Sequence, residues 1–163
     1  MPSPRSASPE LQTAMDEVAD AVNLTIERLL PETDLAEAPL YETMRHGTLG
    51  GGKRLRPFLT VQSAFLFNVP SSRARRVAAA LEFVHCYSLI HDDLPAMDDA
   101  ALRRGQPTVH KQYDEATAIL AGDALLTLAF EILADPETHN DPHVRCELIA
   151  KLATAAEIGR AHV

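Results

Sequence analysis

Apolar residues at three- and four-residue spacing open the chain. Leu11, Met15, Val18, Val22, Ile26 and Leu29 share one stripe, which predicts an amphipathic helix. Ser8 as N-cap and Pro9 at the first helical position start it, and Pro31 stops it. Leu40, Tyr41 and Met44 predict a second helix over 39–48. Leu55, Phe58, Leu59, Gln62 and Phe65 form the inward stripe of a third, over 54–67. VPSS at 69–72 reads as a loop with Ser71 or Ser72 as cap. A long helix follows from residue 73, with Val77, Leu81, Val84 and Ser88 along it. GQP at 105–107 turns the chain, and Thr108 can cap a short helix. Residues 115–134 are apolar almost all round, as in a helix buried inside a bundle, so Asp123 within it needs a partner or a water. After a loop at 135–142, Asp141 and Pro142 open a last helix with Val144, Leu148, Leu152 and Ile158 inward. The pattern predicts an all-α fold of about seven helices. A Pro/Ser-rich disordered tail over 1–9 precedes one domain over 10–163.

Composition narrows the function classes. Alanine and leucine dominate, β-branched runs are scarce, and aromatic residues make up 5% of the chain, all of which favours helices. A formal net charge of −8 argues against a nucleic-acid binder. Cys86 and Cys146 form no CxxC pair, which fits a reduced, cytoplasmic protein. No run of about 18 consecutive apolar residues predicts a membrane span, and no apolar h-region marks a signal peptide.

The chemistry concentrates in residues 81–104. Asp92, Asp93, Asp98 and Asp99 follow an apolar run, and Arg103 and Arg104 come just after. Carboxylates this dense repel unless a cation or hydrogen bonds hold them. Magnesium binds through one or two carboxylates plus the phosphates of its substrate, so acidic residues beside paired arginines point to a metal-bridged phosphate ester. A solvated acidic turn is the plainer alternative. On a helix His85, Ser88 and Asp92 fall on one stripe, whereas Asp98 would lie about 240° from Asp92. Pro95 cannot donate to the carbonyl of His91, and it disfavours helical geometry at Leu94. The helix must therefore break, and the break lets Asp98 swing back toward Asp92.

Upstream, GTLGGGKRLRP matches the P-loop spacing at Gly47, Gly52 and Lys53. Arg54 replaces the metal-binding hydroxyl, and the preceding segment reads as helix, so the glycines more simply let the backbone approach a ligand. Lys53, Arg54 and Arg56 at the start of a helix oppose its dipole and need a compensating anion, for which a diphosphate is one candidate. A solvated basic turn is the alternative. His91 and His110 lack zinc spacing, and the aspartates fail the EF-hand template, with Met97 where its glycine would stand.

HDDLPAMDD at 91–99, LRRGQPTVHK at 102–111, AILAGDALLTLAF at 118–130 and GGKRLRPFL at 51–59 together resemble the polyprenyl diphosphate synthase family. The resemblance runs from about Leu40 to Leu133 and is strongest to bacterial farnesyl diphosphate synthases with a spaced DDxxxxD motif. It implies an isoprenoid-synthase helical bundle and magnesium-dependent, head-to-tail condensation of an allylic diphosphate with isopentenyl diphosphate. By the same resemblance Asp92 and Asp98 hold the metal with Asp93 in support. Arg103 meets the allylic diphosphate, and Lys53, Arg56, His85 and Arg104 hold isopentenyl diphosphate. A homodimer is implied where the fold is complete. The family's second aspartate motif has no counterpart after Asp141, and the chain closes on EIGRAHV, so it reads as the amino-terminal half of a synthase, impaired alone. A geranylgeranyl diphosphate synthase fragment, a non-catalytic partner and a helical interaction domain are the alternatives.

Product length has its own signature. In the resembling family, residues one turn before the first aspartate motif floor an apolar tunnel. Tyr87 and Ser88 stand five and four positions before Asp92. The tyrosine ring is large enough to cap a tunnel and Ser88 is not, which predicts a fifteen-carbon product.

Overall fold

The computed structural model describes residues 8–30, 32 and 34–158. The predicted tail therefore lies outside the described residues except for Ser8 and Pro9, as does the predicted stop at Pro31. Ser8 accepts a hydrogen bond from the Leu11 amide at 3.2 Å and starts α1, Pro9–Leu29. There follow α2, Ala38–Leu49; α3, Leu55–Leu66; α4, Ser71–Asp92; a hairpin of β1, Leu102–Arg103, and β2, Gln106–Pro107; the short α5, Val109–Gln112; α6, Glu115–Ala134; and α7, Pro142–Ala155. Among the described residues the fold is all-α with seven helices, as the periodicity predicts.

α4 is the central helix. Ala74, Ala78, Ala79, Ala80, Phe83, Cys86 and Ile90 bury one side of it. α6 meets it with Ala118, Ala121, Gly122, Leu125 and Ala129, and α1 with Val22 and Ile26. Small residues on both helices let the backbones approach closely. Gly47 on α2 does the same, since a Cβ there would come within 2.6 Å of Ile90. α6 has the length and composition of a membrane span, but it packs against α2, α4, α5 and α7. Burial pushes the Cys86 thiol up to about 12, which keeps it protonated and unreactive.

Three expectations need correction. α3 turns Pro57, Val61 and Ala64 inward, not Leu55, Leu59 and Phe65, which are 54%, 56% and 73% exposed. Both faces of this helix are apolar, so periodicity could not choose between them, and the smaller side chains fit closer to α4. Ile119 and Leu120 leave one side of α6 uncovered. Ile158 lies past the end of α7 and points out, while Leu152 is buried as expected.

Candidate active site

α4 ends at Asp92, three residues before Pro95, and the chain folds back on itself. The Asp98 amide donates to the Asp92 carbonyl at 2.9 Å, and the Asp99 and Ala100 amides donate to the carbonyls of Leu94 and Asp93. The predicted break thus exists and brings the Asp98 backbone onto that of Asp92. The four aspartates then take different roles. Asp92 is half-buried and Asp98 exposed, and neither carboxylate has a hydrogen-bond partner among the described residues. Asp99, in the left-handed region with φ 46°, lies 3.5 Å from Lys111 Nζ and 3.9 Å from His110 Nε2.

Asp93 points inward. Its carboxylate is 4% exposed and accepts two hydrogen bonds from Arg103, from Nε at 2.8 Å and from Nη2 at 2.7 Å. Those bonds also hold the Arg103 guanidinium more firmly charged than usual. The hairpin makes the pairing possible. Arg104 and Gly105 have φ 55° and 82°, as a two-residue turn with both central residues left-handed requires. Arg103 on β1 therefore faces Asp93, and Arg104 at the turn reaches out to donate to the Gly51 carbonyl. Its guanidinium lies over Gly52, whose φ of 131° favours glycine there.

Arg104 thus lies over the loop 50–54 that carries Lys53, which is exposed. Arg56, the second residue of α3, is exposed and close enough to His85 to lower its pKa. Desolvation by burial is the larger cause of that shift. His85, Tyr87 and Ser88 line an open cleft with Arg56, Leu59, and Leu152 of α7. The Ser88 hydroxyl donates to the His85 carbonyl at 2.8 Å. Tyr87 packs edge-on against His91, ring centroids 5.7 Å apart.

Two features escape sequence reasoning. Arg54 is buried, and its anion is Glu82 on α4, at 2.7 Å. A charged residue amid the small apolar residues of α4 was the available signal. His91, whose Nε2 lies 3.1 Å from the Ile119 carbonyl, fills a notch over Gly122, where a Cβ would come within 2.5 Å of its ring. Asp123, expected to be buried, has a side chain 65% exposed and 3.9 Å from that same His91 nitrogen. Among the described residues no three His, Cys, Asp or Glu side chains converge as a metal cage. Two carboxylates without hydrogen-bond partners among the described residues, on residues whose backbones are bonded to each other, are nevertheless the kind of ligand magnesium uses when its other ligands come from phosphate and water.

The family model for polyprenyl synthetase matches residues 37–160. The chain belongs to that family. It is 50% identical over 139 residues to the farnesyl diphosphate synthase of Escherichia coli K12, covering 83% of this chain and 46% of that protein. It is 47% identical over 116 residues to the chloroplastic geranylgeranyl pyrophosphate synthase 11 of Arabidopsis thaliana, covering 71% of this chain and 31% of the other. An apo FPP/GFPP synthase from Zymomonas mobilis superposes with a TM-score of 0.87 at 52% identity, over 90% of this chain and 53% of that one. The chain therefore spans about half the length, or less, of the relatives it matches.

Proposed function

We propose that this chain carries the first-aspartate-motif half of a farnesyl diphosphate synthase site, with residues for both the allylic diphosphate and isopentenyl diphosphate, and serves head-to-tail prenyl transfer between them. The carrying observation is the Asp98 amide bonded to the Asp92 carbonyl. That bond joins the backbones of two residues at the end of α4 whose carboxylates have no hydrogen-bond partner among the described residues, with Arg103 held by the adjacent Asp93. Asp92 and Asp98 are the residues that would hold magnesium. Bound there, it would neutralise the charge that develops on a departing diphosphate. Asp93 acts indirectly, because it orients Arg103. Nε and Nη2 of Arg103 go to Asp93, and Nη1, without a hydrogen bond among the described residues, is left for the allylic diphosphate. Lys53, Arg56, His85 and Arg104 form the separate basic set for isopentenyl diphosphate, which places the nucleophile's double bond by holding its anionic tail. The lowered pKa of His85 suits a group waiting for an anion, since a bound diphosphate would restore its charge. Tyr87 stands as the floor of the tunnel. Its ring is braced by His91, and His91 by Gly122 and the Ile119 carbonyl. The exposed apolar strip of Ile119 and Leu120 on α6 supports the reading as a homodimer.

The test is prenyl transfer from geranyl diphosphate to labelled isopentenyl diphosphate. One sample is the 163-residue chain and the other is the chain joined to the carboxy-terminal half of the E. coli relative. The chain alone should turn over far below the ~1 per second typical of enzymes. The fusion should be active and should lose that activity in Asp92→Asn. A folded but inactive fusion, or an Asp92→Asn fusion at full rate, overturns the assignment.

A further inference from the structure

Arg54 is placed where a phosphate-binding residue would be expected, between Lys53 and Arg56, yet it cannot touch a ligand. Its side chain is 1% exposed, and its backbone sits in the left-handed region with φ 46°. Each of its three guanidinium nitrogens donates a hydrogen bond. Nε donates to Asn23 Oδ1 on α1 at 2.9 Å, Nη1 to Glu82 Oε1 on α4 at 2.7 Å, and Nη2 to the Thr48 carbonyl near the end of α2 at 2.6 Å. Three helices are thereby joined at the residue that begins α3. Glu82 lies three positions before His85 on α4, about one helical turn away. The loop 50–54 is pinned beneath by Arg54 and covered above by Arg104, which donates to the Gly51 carbonyl.

A fork of this kind fixes direction as well as charge. A lysine at this position could satisfy Glu82 but not all three partners at once. A buried ion pair is in general weak evidence of stability, because apolar residues of similar volume often replace it without loss. The geometry here points to another use for it.

We infer that the Arg54–Glu82 pair is a positioning device for diphosphate binding. It fixes Lys53 and Arg56 relative to His85, so that cations from the loop, α3 and α4 converge on one anion. This rests on the reading of Lys53, Arg56, His85 and Arg104 as a diphosphate pocket. Lys53 and Arg56 lie on either side of Arg54 in sequence, so loss of the fork lets the loop shift against α4. In catalysis a misplacement of about 1 Å can cost about a hundredfold in rate, and a site whose cations must converge on one anion depends on position in the same way.

The experiment titrates inorganic pyrophosphate, without magnesium, into the 163-residue chain by calorimetry, beside thermal unfolding. The key variant is the double substitution Arg54→Met with Glu82→Leu. It removes one positive and one negative charge, so the net charge stays at −8 and long-range attraction to the anion is unchanged. The expected result is a melting temperature at or above that of the wild type, together with an affinity for pyrophosphate lower by about tenfold or more. A purely structural role would move the first readout and leave the second in place. Wild-type affinity in the folded double variant overturns the inference and leaves the pocket reading standing. No binding of pyrophosphate by the wild-type chain overturns the pocket reading, and the inference with it. Should the double variant fail to fold, Asn23→Ala takes its place, since it frees only Nε of Arg54. Weakened binding then supports the inference, and unchanged binding overturns it.

Discussion

Replacing Arg103 by alanine should destabilise the fold far more than a surface arginine would. The substitution leaves Asp93 as a carboxylate with 4% of its side chain exposed and its two hydrogen bonds gone. Removing one partner of a fully buried pair costs about 3–5 kcal/mol. The Arg103 side chain is 36% exposed, so water screens the pair and can reach part of the vacated space. A discounted figure of about 2–3 kcal/mol is therefore the expectation. For a chain of 163 residues that corresponds to a fall in melting temperature of roughly 4–12 °C. Urea denaturation followed by far-UV circular dichroism measures it, with three variants beside the wild type. Asp93→Asn keeps an acceptor for Arg103 and should cost less than Arg103→Ala. Asp93→Leu with Arg103→Met removes both charges and should recover part of the loss. An Arg103→Ala chain within about 0.5 kcal/mol of the wild type, as for an ordinary surface change, would refute the view of Asp93 as a buried anchor.

Three other outcomes are expected. Gly122→Ala places a Cβ within 2.5 Å of the His91 ring, so overpacking of about 1–3 kcal/mol should outweigh the gain of about 1 kcal/mol in helix propensity; a variant that melts above the wild type would contradict this. The folded-state pKa of His85 lies below its unfolded value of about 6.5, so the unfolded chain takes up the proton first; stability should fall as the pH drops below about 6.5, and His85→Gln should flatten that slope. An unchanged slope in the urea midpoint between neutral and mildly acidic pH would remove His85 as the cause. In the fusion with a relative's second half, Tyr87→Ala should shift products beyond fifteen carbons by mass spectrometry, and unchanged product lengths would show that Tyr87 is not the floor.

Much of the scaffold was legible because it depends on local chemistry. Ser8 caps α1, and Asp141 caps α7 with Pro142 behind it, both as the residues suggest. The break after Asp92 follows from Pro95, which denies its turn of helix a donor and disfavours helical geometry in the residue before it. What stayed hidden depends on distant pairing. Arg54 and Glu82 are 28 positions apart, and nothing local tells a solvated arginine from one enclosed by three helices. The hairpin at 102–107 consists of two-residue strands, too short for any alternation, and rests on Arg104 adopting a left-handed conformation. Of the four aspartates, all equal in sequence, only the hairpin distinguishes Asp93, by delivering Arg103 to it. The inward face of α3 was ambiguous because leucine and phenylalanine occupy its outer side as well.

The central claim is that Asp92 and Asp98 together hold a magnesium-bridged diphosphate. Calorimetric titration of inorganic pyrophosphate into the chain, with and without magnesium, tests it most directly. The account predicts weak binding that magnesium tightens, with the magnesium-dependent gain abolished in both Asp92→Asn and Asp98→Asn while the magnesium-free binding persists. A wild-type affinity indifferent to magnesium, or a gain that survives both substitutions, would contradict it.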